Sequence, residues 1–269
     1  MGWTRLQTVS DGERDTADDP INRPRIMRET AMYEFCLPFV AGRRVVDVGC
    51  GTGFGAVLLA KEAGSVVGVD PHPIAVETAK AGYQADNLCF RQMDGTSLDF
   101  DDASINVVVS MGVIEHIKRY SVHFTEAARI LAPSGLFILG ALNARLSLGD
   151  DAYHYREFDH EELKGLMDMH FIDVEVYGVR GVTPAAIAEW EQRIARAKRY
   201  WRVDFLRLRR FYFFKCLYRP LFNYLQRRGR KKRHTGDTSR MTSIQSSDFS
   251  INKENLPTAW NFICIGKKP

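Results

Sequence analysis

The stretch Val45-Val46-Asp47-Val48-Gly49-Cys50-Gly51-Thr52-Gly53-Phe54-Gly55 decides the fold. An apolar run stops abruptly in alternating glycines, and the helical pattern Ala56-Val57-Leu58-Leu59-Ala60 follows. That order reads as a buried strand, a tight loop and a helix start. Glycine carries no Cβ, so its backbone can come close to a ligand. The helix start behind it offers unpaired N–H groups to polar or anionic ligand atoms. Together these features predict a nucleotide-type cofactor site in a doubly wound α/β domain. Gly55 is the exception and reads as a packing glycine at the helix start.

The loop alone does not choose the cofactor, because Gly51 to Ala56 also satisfies the loose dinucleotide pattern G-x-G-x-x-G/A. Three acids separate the readings. Asp47 lies inside the strand, two residues before the first glycine, where a pyrophosphate has little use for negative charge. A carboxylate there suits a cationic or hydrogen-bond-donating ligand, such as the amino-acid end of S-adenosylmethionine. Val66-Val67-Gly68-Val69-Asp70 is a second apolar strand ending in an acid, placed to take two ribose hydroxyls. Cys89-Phe90-Arg91-Gln92-Met93-Asp94-Gly95 is a third, and its acid can accept from an adenine amino group. Each acid taken singly is equally compatible with a solvated strand end or a helix cap.

As an ordered set these segments resemble the class I S-adenosylmethionine-dependent methyltransferases, from about Tyr33 to Val179 with a last strand near Phe262. The resemblance is to the small-molecule branch that includes quinone and glycan methyltransferases. Asp47, Gly49, Gly51 and Gly53 match the first motif, Asp70 the ribose acid, and Asp94 with Gly95 the adenine segment. Ile105 to Ser110 matches the fourth strand, Glu115-His116-Ile117 the short motif after it, and Ala128 to Gly135 the turn before strand five. The resemblance implies a seven-stranded, mostly parallel Rossmann-like sheet whose last strand inserts antiparallel beside strand six. It also places Tyr33 over the cofactor entrance, although the residue reads equally well as a core-facing aromatic. Some similar quinone O-methyltransferases bind a divalent metal through a Glu three residues before the Glu-His pair. That position is Gly112 here, so no metal is expected.

The 269 residues suffice for one large α/β domain with an elaboration. Five scattered cysteines without C-x-x-C spacing, and no leader or membrane-length apolar run, lead to the expectation of a reduced, cytoplasmic chain. The expected divisions are a polar arm over 1–25, the methyltransferase domain over 26–182, a basic aromatic helical insertion over 183–245, and 246–269 completing the sheet. Trp190 to His234 holds sixteen Lys and Arg against two acids. That balance of +14 within a chain of +4 leaves −10 elsewhere. Ile187, Trp190, Ile194, Ala197, Trp201, Phe205, Leu208 and Tyr212 recur every three or four residues as one apolar stripe. The stripe either packs on the catalytic domain or lies on an anionic membrane through 190–233, holding the protein at the inner membrane face. Nucleic acid is the weaker fit.

Methyl transfer from a sulfonium depends chiefly on positioning. An oxygen nucleophile also needs a base. His154, in the loop after strand five, and His116, after strand four, are the candidates. The expected reaction is O-methylation of a small-molecule, sugar or lipid-linked glycan acceptor. An NAD-dependent oxidoreductase and a non-catalytic cofactor-binding partner are the alternatives.

Overall fold

The computed structural model describes residues 23–147, 153–201 and 243–269. Helix α1 (Arg23–Val40) leads into β1 (Arg44–Val48), followed by α2 (Phe54–Leu59), β2 (Ser65–Asp70), α3 (Pro73–Gly82) and β3 (Leu88–Gln92). Then come β4 (Ile105–Met111), α4 (Tyr120–Ile130), β5 (Leu131–Leu142), α5 (His160–Asp168), β6 (Ile172–Gly181) and α6 (Pro184–Trp201). β7 (Phe249–Asn252) and β8 (Asn261–Lys267) end the sequence of elements. The sheet order is β3-β2-β1-β4-β5-β8-β6-β7. β1 to β5 pair in parallel, while β8 runs antiparallel between β5 and β6.

The sheet therefore has eight strands among the described residues, one more than expected. The added strand is β7, antiparallel to β6 at the edge. Its four residues alternate Phe249 and Ile251 with Ser250 and Asn252, so half of a short strand is polar and the pattern reads as loop. β7 pairs with Gly178 to Gly181, the last four residues of β6. α1 begins at Arg23, within the last residues of the expected 1–25 arm.

Successive residues of a strand point to opposite faces, and both faces here are covered. Phe137 packs with Phe124, Phe158, Leu163 and Phe262 on one side. Its neighbour Ile138 packs with Met32, Cys36, Val40 and Leu59 on the other. A third apolar cluster joins Ala31 of α1, Ala186 and Trp190 of α6, Phe249 of β7, and Ile244 and Trp260. Trp190 is buried and stacks on Trp260 with centroids 4.6 Å apart and planes at 9°. Trp190 and Ile194 of the apolar stripe thus face the sheet domain, while Ile187, its first residue, is exposed; that packing removes Trp190 from any membrane surface. Phe205, Leu208, Tyr212 and the basic run around them lie outside the described residues, as does the 1–22 part of the expected arm.

Candidate active site

The carboxyl ends of the parallel strands β1 to β5 deliver the sequence-predicted acids, glycines and histidines to one edge of the sheet. Gly49, Gly51 and Gly53 all have positive φ, at 74°, 54° and 91°. A Cβ on Gly49 would lie 2.3 Å from Val113 Cγ2, and one on Gly53 would lie 2.8 Å from Phe90. Around Gly51 nothing comes within 4 Å of that position, so left-handed backbone alone asks for glycine there. A Cβ on Gly55 would sit 2.1 Å from the Tyr33 ring, in keeping with a packing glycine.

Asp47 is fully buried, and the Tyr33 hydroxyl donates to its two oxygens at 3.2 and 3.4 Å. Burial pushes its carboxyl up to about 8; the Tyr33 hydrogen bond opposes this and nearby Asp70 adds to it. Tyr33 is itself buried, edge-on to Phe54 at 5.5 Å. It packs in the core and its hydroxyl holds Asp47. Asp70 accepts from Gly51 N–H at 3.1 Å and His72 N–H at 2.9 Å, which ties the glycine loop to the second acid. Asp94 is exposed, and its Oδ1 accepts from Thr96 N–H and hydroxyl at 2.8 and 2.7 Å. Gly95 is buried against Val48, and its carbonyl lies 2.9 Å from His123 Nδ1. The other ring nitrogen of His123 is 3.1 Å from Ser110 Oγ. That contact pins the loop after β3 to β4, and a Cβ on Gly95 would meet Val48 at 2.9 Å.

The acceptor side begins at the short 3-10 turn Ile114–His116 after β4. Gly112, just before it, has φ 66°, a conformation that a Glu at this position would adopt only under strain. Glu115 is 1% exposed. Its Oε1 accepts Leu142 N–H at 2.6 Å, its carbonyl accepts Tyr155 N–H at 2.8 Å, and Oε2 is buried without a hydrogen bond. Burial raises the Glu115 carboxyl, while the nearby His154 and the Leu142 N–H pull it back. His154 is buried, with Nδ1 2.7 Å from Glu157 Oε1. The exposed His116 meets it edge-on, with ring centroids 4.7 Å apart. A carboxylate only accepts, so Glu157 assigns a proton to Nδ1; in the neutral ring the lone pair is then on Nε2. The structure thus brings both predicted histidines together. Sequence reasoning missed Glu157, whose signal is a bare His-x-x-Glu spacing, and passed over Glu115 as a partner of the acceptor loop.

The residues fit a ligand with a cationic end and a ribose. A buried carboxylate with a single hydroxyl donor at the end of β1 lacks compensation that a cation supplies, and Asp70 stands one strand over. Residues 46–139 match the family model described as a methyltransferase domain. The chain is 34% identical over 174 residues to a "probable S-adenosylmethionine-dependent methyltransferase" of Mycobacterium tuberculosis, covering 62% of this chain and 63% of that protein. It is 28% identical over 172 residues to a fatty-acid O-methyltransferase of Mycolicibacterium smegmatis, covering 60% and 62%. The chain thus spans less than two thirds of the length of these curated relatives. Among solved structures, an S-adenosylmethionine-dependent methyltransferase of Thermotoga maritima aligns with TM-score 0.60 at 15% identity, covering 92% of each chain. The YcgJ protein of Bacillus subtilis aligns with TM-score 0.57 at 18% identity, covering 89% of this chain and 98% of that one. At these identities the likeness to the solved structures is one of fold.

Proposed function

We propose that this chain, similar over residues 46–139 to a methyltransferase domain, is a class I S-adenosylmethionine-dependent methyltransferase that methylates an oxygen of a small-molecule, sugar or lipid-linked acceptor. One observation carries the oxygen reading: the buried His154–Glu157 pair beside the post-β4 turn. Asp47 would hold the amino-acid end of the cofactor, Asp70 the ribose and Asp94 the adenine, with Gly49, Gly51 and Gly53 letting the backbone approach. When bound, S-adenosylmethionine supplies a methyl group on a positively charged sulfur, open to in-line displacement.

His154 takes the hydroxyl proton of the acceptor on Nε2 as the oxygen attacks, and later returns it to water. Glu157 keeps the ring in that tautomer and stabilises the imidazolium that forms. Glu115 holds the Leu142 end of β5 and the Tyr155 backbone together, so the His154 loop is fixed to the strand edge. His116 supports the ring edge-on. Beyond Trp201, the basic run to Arg233 is proposed to touch an anionic membrane on the cytoplasmic side, where a lipid-linked acceptor would be met. Co-sedimentation with anionic vesicles at low salt, weakening as salt rises, tests that contact. Calorimetry with S-adenosylmethionine and with NAD tests the cofactor, and label transfer to hydroxyl-bearing acceptors tests the reaction. Tight NAD binding without S-adenosylmethionine binding would overturn the proposal. Cofactor binding without transfer to any acceptor would leave a non-catalytic partner protein.

A further inference from the structure

Arg28 is an unusual residue for the inside of a domain. It is 3% exposed, and its Nε is buried with no hydrogen-bond acceptor. Buried charges are ordinarily paired, yet among the described residues no carboxylate bonds to this guanidinium. Glu29 and Glu189 act on it only through space, and Glu29 is itself engaged by Arg25 at 3.2 Å. What Arg28 does touch is aromatic and cationic. Its Cζ lies 5.5 Å from the centroid of the Trp190 ring, and Arg193 lies 5.6 Å from the same ring. Two guanidinium groups therefore share one indole, with Trp260 stacked on it.

The place is as informative as the partners. α1 runs down into β1, so its first turns stand at the edge where the parallel strands end. Residues four apart share a helix face, and Arg28 is one turn above Met32, whose Cε lies 2.7 Å from the Cβ position of Gly140 in β5. Trp260 lies at the same edge, its carbonyl accepting Asn143 N–H at 3.2 Å just after β5. The neighbouring Leu142 N–H goes to Glu115, the residue that holds the His154 loop. Leu146, in that same post-β5 loop, packs on the cluster around Trp190 and Trp260.

We propose that Arg28 and Arg193, gathered on Trp190, form a recognition site for an oxyanion, a carboxylate or phosphate, at the acceptor edge of the sheet. The oxyanion supplies the acceptor atoms that Arg28 lacks and relieves the repulsion between the two guanidiniums. The apolar wall of Trp190, Trp260 and Leu146 suits an oxyanion attached to a hydrocarbon or aromatic body. That the oxyanion belongs to the methyl acceptor rests on the proposed function; the binding of the oxyanion does not.

Thermal melting and calorimetry in a buffer free of phosphate and carboxylate test the site on the intact chain, with inorganic phosphate, acetate, octanoate and decyl phosphate as probes. Wild-type protein should melt higher with the anions, and Arg28→Met should weaken their binding by about tenfold or more. Arg28→Met should melt no lower than wild type without anion, because it removes an unpaired charge from a buried place. Arg193→Gln should weaken binding less. Octanoate and decyl phosphate binding more tightly than acetate and phosphate identifies the head of an amphiphilic acceptor; equal binding identifies a free anion. No stabilisation of wild type by any probe, or equal affinity in Arg28→Met, overturns the site. S-adenosylmethionine affinity, measured on both proteins, should be the same. A chain that binds no S-adenosylmethionine fails the methyltransferase reading while the anion result stands by itself.

Discussion

Over β1 to β3 the site is made by backbone shape; over β4, β5 and β8 it is made by side chains that meet across long gaps in sequence. On the first side, three left-handed glycines and two strand-end acids fall within 24 residues, from Asp47 to Asp70. On the second, Glu115 reaches Leu142, His116 meets His154, and Trp190 stacks on Trp260. A substitution on the first side acts through excluded volume and dihedral strain. One on the second acts through a partner left behind.

The sharpest test of that contrast is His154→Ala. Turnover should fall about 10²–10⁴-fold with cofactor affinity unchanged, measured by label transfer and calorimetry. Full turnover in that variant would leave the acceptor side with positioning alone. Gly49→Ala comes next, combining a left-handed φ with a 2.3 Å collision against Val113. Strain of about 1–2 kcal/mol and overpacking of about 1–3 kcal/mol should lower its unfolding free energy in denaturant. Gly51→Ala has the strain without the collision, so it should cost stability less and show its damage in cofactor binding. Equal destabilisation by the two would break the account of the loop.

Asp70→Ala should weaken cofactor binding by roughly 1.5–3 kcal/mol for each ribose hydrogen bond lost, with unchanged affinity by calorimetry removing its assignment. The smallest signal is a proton count. Asp47, with its carboxyl near 8, is largely protonated in the free protein at neutral pH. A cationic ligand favours the charged form, so binding should release up to about one proton and strengthen as pH rises towards 8. Calorimetry in buffers of different ionisation enthalpy reads this, and Asp47→Asn should abolish it. The native carboxyl holds its proton more tightly than the unfolded chain does. Ligand-free stability should therefore fall as pH climbs from about 4 through about 8.

What was legible follows the same division. The motif at Val45 to Gly55 carries its geometry in consecutive residues, so the strand, the left-handed loop and the acid behind it can all be read locally. The apolar runs of β1, β2, β4 and β5 are buried on both faces and announce themselves. β7 was hidden because only Phe249 and Ile251 of its four residues are apolar. Glu157 and Arg28 were hidden for a different reason. An acid three residues after a histidine, or an arginine in a first helix, acquires meaning only from what tertiary packing puts opposite it. The stripe beginning at Ile187 was visible as an apolar face. Its period did not reveal that Trp260, seventy residues after Trp190, covers that residue and leaves Ile187 exposed.

β8 sits between β5 and β6, and this arrangement dictates an order of assembly. Strands β1 to β3, and β4 with β5, join neighbours delivered by single crossovers, and β4 returns to β1 over 62 residues. β6 reaches the sheet only through β8, which pairs Asn261 with Leu142 across 119 intervening steps of chain. Closing so long a loop defers its reward until late. Until then β5 presents an open, apolar edge able to pair with another chain. Folding yield at raised protein concentration, more than the melting temperature of the finished molecule, is where the cost of that insertion falls.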